Sequence, residues 1–152
     1  MKHLRKMNNF NSYLAILSAV DSGPVQRLDW PKHIIDTIKD YSQLIDPKCG
    51  FKYLREAVSE SQPPCIPHIG LILQDLTILH IANSDHLPSG NCNFWKRWQQ
   101  FNILERVRCF RRSQYAYKLD GKIQTFFNNF TEYMNEDAQY VLSEKLKPRM
   151  NK

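Results

Sequence analysis

PPCIPHIGLILQDLTILHIAN, residues 63–83, decides the fold. Pro63, Pro64 and Pro67 lead into a run with no further Pro or Gly after Gly70, so the run reads as a helix, with Pro67 suited to its first turn. At about 100° per residue, Ile69, Ile72, Leu73 and Leu76 form one apolar face. Leu71, Gln74, Ile78 and Ile81 lie opposite, with Thr77 at the edge. One apolar face is enough to dock a helix on its own core. A second implies more of the same protein lying over it, or a partner.

A companion helix follows. Residues 83–93 collect Asn, Ser, Asp, Pro88 and Gly90 and read as a connection. Beyond it, NFWKRWQQFNILERVRCF at 93–110 repeats Phe94, Trp98, Phe101, Leu104 and Val107 every three or four residues, a row expected to face the core. The two helices make a helical hairpin spanning about 67–117.

Upstream, Phe10, Tyr13, Leu14, Leu17 and Val20 sit at helical spacing behind a cap from Asn9 or Asn11, and Ser22-Gly23-Pro24 stops that helix. Pro31 suits the first position of a helix carrying Ile34, Ile35, Ile38, Tyr41 and Ile45, which Asp46-Pro47 and Gly50 break. A shorter helix holds Phe51, Leu54, Ala57 and Val58. Downstream, Ile123, Phe126, Phe127 and Phe130 restart the period after Asp120-Gly121, and a last helix from Asn135 carries Ala138, Val141, Leu142 and Leu146. No stretch alternates with a two-residue period, so the expected fold is all-α, without repeats or a domain linker.

At 152 residues, 42% hydrophobic and 12% aromatic, the chain suits one folded domain with a real core. The basic amino terminus lacks the apolar core of a secretory signal, and no apolar run approaches the ~20 residues that span a bilayer. Cys49, Cys65, Cys92 and Cys109 form no CxxC pair and read as reduced thiols of a cytoplasmic protein. A net charge of +6 permits a nucleic-acid, acidic-membrane or acidic-protein partner and selects none.

Apparatus for bond-making chemistry is absent from the sequence: there is no Gly-rich phosphate loop, no GxSxG and no HExxH. His80, His86 and Cys92 flank one connection, but not at a spacing that zinc sites favour, so no metal or cofactor is expected. Lys96, Arg97, Arg106, Arg108, Arg111 and Arg112, interleaved with Trp95, Trp98, Phe101 and Phe110, carry some of the character of a nucleic-acid surface. Phe94, Trp98 and Phe101 share the row assigned to the core, which argues against stacking on bases and against a specific nucleic-acid partner.

The strings NNFNSYLAILSAVDSGPVQRLDW, PPCIPHIGLILQDLTILH and NFWKRWQQFNIL, with the closing LKPR, resemble the catalytic domain of Ras-family guanine-nucleotide exchange factors, most nearly its Rap-directed, Crk-binding branch. The similarity covers nearly the whole chain. It implies a helical domain that grips a Rap- or Ras-family small GTPase, preferentially nucleotide-free, and presents a protruding hairpin as a wedge. The wedge pushes the first switch from the nucleotide and intrudes on the magnesium and phosphate sites. No covalent bond is made, so the protein is not an enzyme in the bond-making sense, and it approaches membranes only through its GTPase.

By position, the resemblance places the wedge on Thr77 and Ile81 with Ile78, His80 and Asn83, and lines the contact with Gln74 and Gln99. Ras-directed members commonly carry glutamate where Ile81 stands. Asp21, Gln26 and Phe51 match positions that meet the second switch. His68 stands where the family usually has an aromatic ring at the hairpin base. Since the family domain begins upstream of anything here, the resemblance implies the carboxy-terminal part of the domain, without its amino-terminal helices and with low isolated activity. A helical GTPase-binding module without exchange activity is the alternative.

Overall fold

The computed structural model describes residues 1–148, so Arg149 of the closing LKPR string lies outside the described residues. Nine α-helices and two 3-10 turns form among them, with no β-strand. The helices are α1 (Lys2–Lys6), α2 (Phe10–Val20), α3 (Gly23–Gln26), α4 (Lys32–Ser42), α5 (Lys52–Ser59), α6 (Ile69–Ala82), α7 (Phe94–Phe110), α8 (Gly121–Asn128) and α9 (Glu136–Leu146). The expected all-α class holds. Chain contacts divide the molecule into two compact units, Met1–Leu14 with Leu44–Gln114, and Ala15–Gln43 with the chain from Tyr115 onward.

The first unit carries the core and the hairpin. Phe10, Leu54, Ala57, Cys65, Leu71 and Phe110 pack as one buried cluster, with Leu14, Leu44, Phe51 and Val58 against it. Asn9 rather than Asn11 caps α2, its Oδ1 accepting from the Ser12 amide at 3.0 Å. Backbone bonds tie this corner to the proline segment: Phe10 N donates to Ile66 O at 2.9 Å and Ile66 N to Asn8 O at 3.0 Å. Phe10 is thereby pinned at the centre of the cluster, with the Arg5 guanidinium over its ring at 5.1 Å.

Two prolines differ from expectation. Pro31 and Pro67 both lie outside the helices they precede: Pro31 has the extended ψ of a cap (144°), and His68 is the cap of α6. Proline tolerates the extended backbone before a helix as readily as the first turn within it. The basic amino terminus forms a helix, α1, that no apolar period announces.

In the second unit α3 packs on α9. A side-chain carbon at Gly23 would fall on the Tyr140 hydroxyl, so only glycine permits the approach. Arg27 donates to Ser143 Oγ at 3.1 Å and to the Lys147 carbonyl at 2.9 Å, and Lys147 pairs with Asp29. Asp120 and Asn135 cap α8 and α9 by accepting amide hydrogens of the first turn. Ile123, Phe126, Phe127 and Phe130 remain exposed, the Phe126 ring packed edge-on against those of Phe127 and Phe130.

The largest correction concerns the phase of the hairpin helices. Leu71, placed on the outer face of α6 by the period, is its most buried residue at 9% exposure, while Ile69 and Leu73 are exposed. Ile72 and Leu76, from the expected core face, are half-buried. On α7 the row Phe94, Trp98, Phe101 and Leu104, expected inside, is outside, with Phe94 at 72% exposure; of that row only Val107 is half-buried. Phe94, Trp98 and Phe101 stack on one another along the surface instead. The inward row is Lys96 and Phe110, both buried, with Gln99, Ile103 and Val107 half-buried between them.

Candidate functional site

The candidate site is built on the α6–α7 hairpin. α6 is apolar on nearly every side, so its orientation is set by what anchors it. Two charged clamps do so. At its middle, Arg55 of α5 holds Asp75 through two bonds of 2.6 Å and the Gly50 carbonyl through its Nε at 2.7 Å. Hydrogen bonding to Asp75 raises the guanidinium pKa further above its ordinary value. Such a bidentate, half-buried pair fixes direction as well as distance.

Near the end of α6 stands Lys96, a charged residue only 1% exposed. Its ammonium donates to the His80 carbonyl at 2.9 Å and the Asn83 carbonyl at 2.6 Å, and lies 2.7 Å from Asp85. Three N–H donors thus meet three acceptors, as burial of an ammonium demands. Two of those acceptors lie at the carboxy-terminal end of α6, where carbonyls lack helical partners and a positive charge is favoured. The Lys96 hydrogen bond, reinforced by Arg97 at 3.0 Å, holds the Asp85 carboxyl below the usual carboxylate range.

The connection is equally ordered. Asn93 caps α7 with its Oδ1 on the Lys96 amide, donates its Nδ2 to the Ser84 carbonyl, and gives its own backbone N–H to Asp85 O. Leu87 N donates to Asn91 O and Gly90 N to Leu87 O, each at 2.8 Å. Gly90 sits at φ +81°, where glycine is the favoured residue.

On this braced hairpin Gln74, Thr77, Ile78, His80 and Ile81 are all exposed, Ile81 at 77% more so than Ile78. Asn83 is half-buried and shapes the neck of the hairpin, its Nδ2 donating to Leu79 O and its carbonyl receiving Lys96. Gln99 is half-buried and lines a cavity between α5, α6 and α7 together with His68. Phe51 caps α5 in a left-handed conformation, φ 62°, and packs on the core cluster. In the second unit, Gln26 donates to Asp21 at 2.7 Å, both side chains exposed.

Sequence reasoning missed both clamps. Lys96 was counted with the basic surface, although it falls in register with Gln99, Ile103, Val107 and Phe110, and a lysine on that row is the available signal. Nothing in the sequence links Arg55 to Asp75, twenty residues on. Pairing also spends much of the charge on and just after α7: Arg97 on Asp85, and Arg108 and Arg112 on Glu105. Among the described residues no helix is long and apolar enough to cross a membrane.

Comparison with known proteins fits this architecture. The chain is 53% identical to Rap guanine nucleotide exchange factor 1 of Homo sapiens over 98% of its length, covering 14% of that protein. It is 51% identical to Guanine nucleotide-releasing factor 2 of Drosophila melanogaster, again over 98% of the chain and 10% of the relative. Cell division control protein 25 of Saccharomyces cerevisiae is 34% identical over 97% of the chain, 10% of that protein. The chain therefore spans only about a tenth to a seventh of the length of these relatives. The family described as RasGEF domain matches residues 1–98, more than half of the chain and up to Trp98 within the returning helix, and to that family this helical chain belongs.

Proposed function

We propose that this chain promotes GDP release from a Rap- or Ras-type small GTPase by inserting the α6–α7 hairpin between the switch regions and the nucleotide. The observation that carries it is the exposed row Gln74, Thr77, Ile78 and Ile81, a largely apolar surface on a helix clamped at its middle and at its carboxy-terminal end. A soft element would bend before it displaced a switch; a clamped one transmits the load. Similarity to exchange factors over 98% of the chain supports the same conclusion, and likeness to a human Rap exchange factor favours Rap as the partner.

The hairpin works without covalent chemistry. Accelerating release by about ten-thousandfold means lowering its barrier by roughly 5.5 kcal/mol. Only contacts made more strongly to the nucleotide-free GTPase contribute, because equal binding to both states shifts nothing. Ile81 and Thr77 occupy the space that magnesium and phosphate would otherwise hold, and Gln74 and Ile78 extend the contact along α6. Exchange runs in both directions, and the nucleotide pool decides the product. The membrane enters only as the place where the GTPase resides.

The test is release of a fluorescent GDP analogue from Rap- and Ras-type GTPases. Ile81→Asp and Thr77→Arg are expected to abolish catalysed release, about a hundredfold or more each, with the helical circular-dichroism signal unchanged. Binding without release would make the chain a GTPase-binding module. Rates indifferent to both substitutions would remove the hairpin from the mechanism.

A further inference from the structure

Between α5, α6 and α7 at the base of the hairpin lies a cavity of about 450 Å³. That volume falls within the roughly 300–1,000 Å³ typical of small-molecule sites. Leu54, Leu71 and Phe110, all from the buried cluster, line it with Ile72, Ile103 and Val107. One polar group of this lining is unusual in what it lacks. His68 Nδ1 is shielded from solvent and has no hydrogen-bond partner. Gln99, Asn102 and Arg106 follow one another along the same face of α7, Gln99 half-buried and Asn102 and Arg106 open to solvent, and among the described residues their side chains make no hydrogen bond or ion pair.

Charge decides what these groups would take. Of the ionised side chains lining the cavity, Arg55 and Asp75 neutralise each other, and Glu56, largely exposed, is loosely paired with Lys52 at 3.8 Å. Arg106 alone among these described lining residues is uncommitted. Guanidinium and amide donors above an apolar floor fit a carboxylate carried on a hydrocarbon body. We propose that this cavity binds a small amphiphilic monocarboxylate, a medium-chain fatty acid or an aryl carboxylate, with its body over Leu71 and Phe110. Its head group is held by Arg106 and Asn102, with His68 Nδ1 supplying a further hydrogen bond. Two walls are the hairpin helices, so the ligand sets their spacing from α5. That regulatory consequence rests on the exchange reading; the binding does not.

Calorimetric titration of the full chain with decanoate, below its micelle concentration, tests the site. One decanoate per chain is expected, with decanol and acetate each bound at least tenfold more weakly. Arg106→Gln, an exposed change, is expected to weaken decanoate at least tenfold and leave decanol unaffected, and His68→Phe to act in the same direction. Ile103→Trp, which fills the space, is expected to abolish binding of both. Equal affinity for decanol, uptake of several decanoates without saturation, or indifference to Arg106→Gln would overturn the proposal. Because the readout is heat of binding, failure here leaves the exchange reading standing, and loss of exchange leaves the site standing.

Discussion

Lys96 shows what one residue does for the hairpin. Its ammonium joins the last turn of α6, the connection and α7 at a single point, and its burial is tolerable because every donor is used. Lys96→Met keeps the stem and removes the charge, leaving two carbonyls without their donor. At roughly 1–3 kcal/mol for each unsatisfied group, the variant is expected to lose about 2–6 kcal/mol by urea denaturation. Asp85 adds a pH dependence. Its folded pKa lies below its unfolded value of about 4, so its contribution is complete above pH ~4 and is lost as pH falls through the folded pKa. The melting-temperature gap between the native chain and Asp85→Asn should therefore narrow only below about pH 4.

Cysteine reactivity is also set residue by residue. Burial pushes the Cys65 thiol up to about 11, while Cys49 and Cys92 are exposed. At pH 8 the thiolate fraction of Cys65 should fall on the order of a hundredfold below that of an ordinary thiol near 8.5. Iodoacetamide labelling followed by peptide mapping should find Cys49 and Cys92 modified well before Cys65. Denaturation should erase the difference. Prompt labelling of Cys65 in the native chain would contradict its place in the core cluster.

At the level of elements, Arg55 and Asp75 join α5 to the first half of α6. Lysine cannot reproduce the fork that grips both carboxylate oxygens. Arg55→Lys is expected to cost about 1–2 kcal/mol, less than a fully buried pair because both partners are partly solvated. Chemical denaturation measures it. How far such elements were legible follows from their composition. Caps and breakers placed most helix ends within a residue or two, as at Asn93, Asp120 and Asn135, because each supplies a hydrogen bond that its own local sequence specifies.

The rotation of α6 and α7 was not legible. Both are apolar around much of their circumference, so no single row stood out, and the long-range clamps chose which row went inside. Large aromatic residues drew the inner row of α7 toward Phe94 and Trp98, while the inward row includes Lys96 and Gln99. The outward setting of Thr77, Ile78 and Ile81 agrees with the period, whereas Leu71, grouped with them, turned inward. Gln99 fell on a cavity wall rather than beside the exposed row of α6.

For the whole molecule, the proposed mechanism fixes an order of affinities. A factor that accelerates release must bind the empty GTPase more tightly than either loaded form. Affinity capture by the immobilised chain should therefore retain Rap stripped of nucleotide with EDTA, and excess GDP or GTP should release it. Preferential capture of the triphosphate-loaded form would identify an effector and exclude an exchanger.

The ladder of hydrogen bonds from Ser84 to Asn93 has a kinetic corollary. Because the turn between the two long helices is already knitted to itself, little conformational freedom remains to be frozen out when it meets another protein. Under the proposed mechanism, the induced fit of such an encounter falls on the G protein, whose loops yield while the intruding probe stays stiff.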